Sequence, residues 1–136
     1  MPVTVELSYD GYVLHYVIAE PWEINDLLSA YEQERKLRDA ATHTLHSLID
    51  FSQARHIPKN WLQARHGPGL KHPTSGVMVC VGISPGLKIL LEMIFRVANY
   101  KSIKLCDTIE DAHAYLAPLV AELKAQAEPI ASTSSG

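Results

Sequence analysis

The stretch Val77-Met78-Val79-Cys80-Val81-Gly82-Ile83-Ser84-Pro85-Gly86-Leu87-Lys88-Ile89-Leu90-Leu91 decides the fold. Residues 77–83 are apolar or glycine and rich in β-branched side chains. Such a run reads as a central parallel strand covered on both faces. Ser84-Pro85-Gly86 then opens a helix, with serine at the cap and proline in the first turn. A buried strand running straight into a capped helix is the repeating unit of a parallel α/β sheet.

Working outward toward the C-terminus, the helix carries a stripe of Leu87, Leu90, Leu91, Ile94, Val97 and Ala98. Ile103–Cys106 predicts a short strand. Thr108-Ile109-Glu110-Asp111 resembles a capping box, with Asp in place of the usual Glu or Gln. The last helix presents Ile109, Ala112, Leu116, Leu119, Val120 and Leu123, and Pro118 inside it is expected to kink it. Residues 129–136 are small and polar and read as a flexible tail, leaving 1–128 as the domain.

Working outward toward the N-terminus, residues 53–75 are irregular. Residues 58–65 can form a short helix that Gly67-Pro68-Gly69 ends. Leu45–Phe51 predicts a strand. Ile24, Leu27, Leu28 and Tyr31 recur at helical spacing and predict a helix over 23–39, with Glu23 and Asp26 where the helix dipole favours acids. Val3–Leu7 alternates as a half-buried strand does, Asp10-Gly11 signals a hairpin turn, and Tyr12–Ile18 forms the second strand. The order is ββαβαβαβα. It predicts a single α/β domain with a mixed five-stranded sheet, an antiparallel N-terminal hairpin followed by parallel strands, and about four helices.

From Gly76 to Pro118 this pattern resembles the STAS (SpoIIAA-like) family, the domain of anti-sigma-factor antagonists and sulfate-transporter tails. The carriers of the resemblance are the apolar strand leading into Ser84-Pro85-Gly86, the helix Leu87-Lys88-Ile89-Leu90-Leu91-Glu92, and Asp107-Thr108-Ile109-Glu110-Asp111-Ala112. Leu48-Ile49-Asp50-Phe51-Ser52 resembles the family's strand ending in Asp-Leu-Ser. The resemblance implies a regulatory role through protein–protein contact. The family's regulatory members carry a phosphorylated serine at the helix after this strand. Here that region reads Ser52-Gln53-Ala54-Arg55-His56-Ile57-Pro58-Lys59-Asn60, with no serine at the helix start, so the phosphorylation switch is not carried over. Divergent relatives look like lipid carriers of the Sec14 type.

Composition bounds the function further. The chain has 136 residues, 47% hydrophobic and 20% charged, which is globular composition. A net charge of -3 and a pI near 6.1 exclude a general nucleic-acid binder. Residues 1–50 hold nine acids and three bases, and residues 51–136 six acids and nine bases. Cys80 and Cys106 sit in apolar runs and read as reduced, buried thiols without metal-ligand spacing. No apolar stretch approaches the roughly 20 residues that span a bilayer. Met1-Pro2-Val3-Thr4-Val5-Glu6 has no signal-peptide pattern, and a cytoplasmic location is expected.

Catalytic patterns fail one by one, and the chain reads as a non-enzyme without a cofactor. The seven histidines form no i, i+4 pair of the metalloprotease kind, and no metal site is expected. Ser84 sits between strand and helix, but Pro85 after it removes the donor an oxyanion hole requires. Residues 55–72 hold Arg55, Lys59, Arg65 and Lys71, three histidines and no acid. This segment is the candidate surface for an anion or acidic partner, helped by the helix N-terminus at Ser84 and Gly86. It is expected to be less ordered than the rest. On the helix that follows, Ile89, Met93 and Tyr100 lie beyond one edge of the apolar stripe and Phe95 beyond the other. The apolar arc of roughly 240° is too wide for one buried face, which makes Ile89, Met93 and Tyr100 candidates for an interface, including one with a second copy. Two functions follow: a regulatory or adaptor module acting through a protein partner or self-association, or a carrier holding a small anionic ligand or lipid between sheet and helices.

Overall fold

The computed structural model describes residues 2–127, with the backbone of the last helix continuing to Ser135. The segment 129–136, expected to be a tail, continues α3 as helical backbone to Ser135, and Gly136 lies outside the described residues. The elements are β1 (Val3–Ser8), β2 (Val13–Ala19), α1 (Ile24–Ala40), β3 (Leu45–Gln53), β4 (Ser75–Val81), α2 (Pro85–Val97), β5 (Ile103–Cys106) and α3 (Ile109–Ser135). The expected short helix is a 3-10 helix, Trp61–His66, followed by a 3-10 turn at Pro68–Leu70.

The five strands lie in the order β1-β2-β3-β4-β5. β1 and β2 are antiparallel, and every later pairing is parallel. The hairpin turn is wider than a two-residue loop. Ser8 pairs with Val13, and Tyr9, Asp10 and Gly11 all take positive φ. β4 spans Ser75–Val81 rather than 77–83, because Gly82 at φ 72 turns the chain out of the sheet. A side chain at Gly82 would place its Cβ 2.7 Å from the Ser52 backbone, so only glycine permits this exit.

Because β2, β3, β4 and β5 follow one another across the sheet, right-handed crossovers put every connection on one face. That face packs Tyr16, Ile18, Phe51, Met78 and Cys80 against Ile24, Leu27 and Ala30 of α1 and Leu87 and Phe95 of α2. The opposite face has α3 over it. There Val13, Leu48, Val79 and Val81 meet Ala112, Leu116 and Val120. Thr108 caps α3, its hydroxyl accepting from the Asp111 N–H at 3.1 Å. The helix runs on through Pro118, which is exposed. Just past its midpoint it is tied to the hairpin turn by Lys124 and Asp10 at 2.6 Å. No described helix is long and apolar enough to cross a membrane.

Candidate binding cavity

The connecting-helix face of the sheet is packed, but not completely. Between it, α1, α2 and the 57–70 loop lies a cleft partly open to solvent, with a cavity volume of about 70 Å³. Tyr16, Ile18, Ile49 and Phe51 form its sheet wall, Leu27 and Tyr31 its α1 wall, and Leu87, Leu90, Leu91 and Ile94 its α2 wall. Ile57, Trp61 and Leu70 close the loop side. The apolar lining resembles that of ordinary small-molecule sites, whereas the volume lies well below their roughly 300–1,000 Å³.

The cavity has a polar base. Glu34 and Arg38 of α1 are 3% and 1% exposed. Arg38 Nε donates to Glu34 Oε2 at 2.6 Å, and its Nη2 donates to Ser47 Oγ at 2.9 Å. Its Nη1 donates to the Leu45 carbonyl and to Thr74 Oγ1. The Tyr16 hydroxyl donates to Glu34 Oε1 at 2.5 Å. Burial, followed by the Glu34 charge, pushes the Tyr16 pKa well above its ordinary value. Both Glu34 oxygens are therefore engaged, and the base offers a ligand a neutralised polar patch rather than an open charge.

The loop reaches this base through two glycines. Gly67 lies against the Tyr31 ring, where a Cβ would sit 3.0 Å from Cζ. At Gly69 a Cβ would sit 3.0 Å from Glu34 Oε2 and 3.3 Å from Arg38 Nη2. The Tyr31 hydroxyl donates to the Ala64 carbonyl at 2.9 Å and pins the loop from below. Sequence reasoning read these glycines as helix stoppers; their larger role is to let backbone lie flat on α1. Trp22, 4% exposed, also lines the cavity, and its indole N–H has no partner among the described residues.

The Glu34–Arg38 pair was missed from sequence, although a signal existed. Ile24, Leu27, Tyr31, Glu34 and Arg38 follow one another at spacings of three and four, so the two charges continue the buried stripe of α1.

The basic candidates are spread over the loop. Arg55 and Lys59 are exposed, as is Lys71, while Arg65 donates to the Leu62 carbonyl of its own 3-10 helix. The segment is less unopposed than its own composition suggests. Glu20 accepts from the Arg55 and His56 backbone N–H groups and pairs with the His56 ring, and His72 Nε2 lies 2.8 Å from Asp39. Acids distant in sequence supply what the segment lacks. Ser84 caps α2, its hydroxyl accepting from the Leu87 N–H at 3.3 Å, with Gly86 exposed in the first turn.

On α2 the structure separates the interface candidates. Ile89 is 61% exposed and Met93 44%. Tyr100 does not share their surface: its ring packs on the core and its hydroxyl donates to the Gly76 carbonyl at 2.6 Å. Val97, expected in the buried stripe, is 62% exposed, and Phe95, at the opposite edge, is buried. The helix thus turns its inner face about 30° from the expected axis, roughly a third of one residue step of 100°. Among the described residues no three His, Cys, Asp or Glu side chains converge as metal ligands would. No known family model matches the chain, and no curated protein matches it significantly.

Proposed function

We propose that this chain is a non-enzymatic carrier or sensor of a small apolar or amphiphilic ligand, built on a STAS-like domain of the Sec14-related kind. The observation that carries the reading is the cleft between sheet and connecting helices, apolar on its walls and polar at its base, whose cavity of about 70 Å³ a ligand would widen by displacing the 57–70 loop. A core of this size ordinarily closes by side-chain interdigitation. Here Gly67 and Gly69 thin the loop over α1, and the Glu34–Arg38 pair holds the base polar. Strand order and element order support the STAS-like assignment, as does the capped start of α3.

The test is native mass spectrometry of freshly purified protein, followed by titration with a fluorescent fatty acid. A retained small molecule, or saturable one-to-one binding that Ile49→Phe abolishes by filling the cavity, is the expected result. A bare chain that binds no fatty acid sinks the reading.

A second reading, a regulatory or adaptor module with a protein partner, is favoured by one observation. Ile89, Met93 and Val97 form an exposed aliphatic stripe on α2. Light scattering beside an Ile89→Lys, Met93→Lys variant tests self-association. A dimer that the variant dissolves supports it, and a monomeric parent removes the second-copy form.

A further inference from the structure

The polar groups that line the cleft are nearly all engaged. Among the described lining residues there is no Lys, Arg or His, and Glu34 is the one acid. Its two oxygens accept from Tyr16 and Arg38, and the Tyr31 hydroxyl donates to the Ala64 carbonyl. Trp22 stands apart. It lies between β2 and α1, lines the cleft and is 4% exposed. Its indole N–H is sealed from solvent and has no acceptor among the described residues. The other described buried side-chain atom without a partner is His15 Nε2. His15 precedes Tyr16 on β2, so it faces the opposite side of the sheet from the cleft.

An indole N–H donates and never accepts. Left unpaired in a packed interior it destabilises the closed form, and a group that brings an oxygen to it removes that cost. The surroundings define the rest of such a group. Ile24, two residues on, lines the cleft, as does Ile57, which follows the His56 ring tilted against the indole at 6.1 Å between centroids. Glu34 lies ten residues beyond Ile24 on α1, about 15 Å at the helical rise, so the polar base does not serve a small group held at Trp22. Arg55 and Lys59 are exposed and do not line the cleft. An ionised carboxylate or phosphate drawn inside would therefore lack a counter-charge.

We propose that the group this cleft takes in is an uncharged carbonyl compound, a ketone or ester, whose oxygen accepts from the Trp22 N–H when the 57–70 loop is displaced. The inference rests on the carrier reading and narrows it. A fatty acid satisfies the broader reading with its carboxylate left at the solvent-open mouth; the narrower one requires a neutral acceptor inside.

The experiment compares three probes of nearly one shape on the nitrogen-labelled full chain. Acetophenone carries the carbonyl oxygen, α-methylstyrene has a methylene in its place, and benzoate is the anion. Binding is followed by two-dimensional NMR, in which the chain's two tryptophans, Trp22 and Trp61, give the indole signals and Trp61→Phe assigns them. Acetophenone is expected to bind about tenfold tighter than α-methylstyrene, the scale of one hydrogen bond to a buried donor otherwise unpaired. It should also move the Trp22 indole proton downfield. Benzoate should bind at least about tenfold more weakly than acetophenone, since no cation lines the cleft. Trp22→Phe should bind acetophenone and α-methylstyrene alike, with its fold checked by circular dichroism, whereas Trp61→Phe should keep the preference. If Trp22→Phe does not fold, the indole shift in the parent decides. Equal affinities in the parent, a Trp22 signal that acetophenone leaves in place, or benzoate binding as tightly overturns the inference and leaves the carrier reading standing. Binding of the fluorescent fatty acid but of none of the three probes overturns it too. Loss of all four removes the carrier reading with it.

Discussion

Arg38 is almost wholly buried, yet its guanidinium makes four hydrogen bonds, to Glu34, Leu45, Ser47 and Thr74. Removing one member of a buried pair strands the other. Arg38→Met should therefore destabilise the fold by about 3–5 kcal/mol, read by urea denaturation, while the Glu34→Leu, Arg38→Met double variant should recover part of the loss. His46 makes a pH prediction. Its Nδ1 accepts from the Val77 N–H at 2.9 Å, and burial, followed by the nearby Arg38 charge, lowers its pKa. The folded state thus favours the neutral ring. Stability from this group is full above the unfolded value of about 6.5 and is lost as pH falls through the folded pKa. His46→Gln should flatten that part of the stability profile. The two thiols behave differently again. Cys80 faces the cavity side of the sheet and is pushed up to about 12 by burial, while Cys106 packs on the α3 side and is partly exposed. A thiol reagent should titrate Cys106 slowly in the native protein and Cys80 only after denaturation. If both react at once, the packing described for β4 is wrong.

At the scale of elements, most boundaries were legible because local chemistry writes them. Ser84 and Thr108 sit where cap hydroxyls accept from Leu87 and Asp111, and Glu23 donates its N–H to Asp26 at 2.8 Å. β5 coincides with its predicted range. What local chemistry could not show was orientation. The apolar arc of α2 has no marked centre, so Val97 and Phe95 changed places once tertiary packing chose the inner face. The opposing acids of the basic segment, Glu20 and Asp39, were illegible for the same reason, since they lie some 35 and 33 positions away. Pro118 offers the element-scale prediction. It stands well inside α3, exposed, with no N–H to give the Ala114 carbonyl. Pro118→Ala should restore that bond and raise stability by about 1–2 kcal/mol after the unfolded chain's regained freedom is subtracted. A thermal midpoint that fails to rise shows that the preceding turn has already adjusted to the proline.

At the scale of the molecule, the hairpin and parallel alternation were legible, and the cavity was not. Its walls come from β2, β3, α1, α2 and the loop, and no window of sequence contains the gap between them. The sheet's regular strand order has a consequence for how the chain is made. Everything through α2 and β5 builds the cavity side, so that half can assemble while the ribosome is still translating. Val13, Leu48, Val79 and Val81 on the reverse side wait for α3, which emerges after all of them. During that interval a nascent chain shows a bare aliphatic sheet surface of the sort chaperones recognise. A chain stopped after Asp107 should bind hydrophobic dyes and aggregate, whereas one that includes α3 through Lys124 should emerge monodisperse. The order of synthesis, rather than the final packing alone, makes the closing helix the step on which escape from misassembly depends.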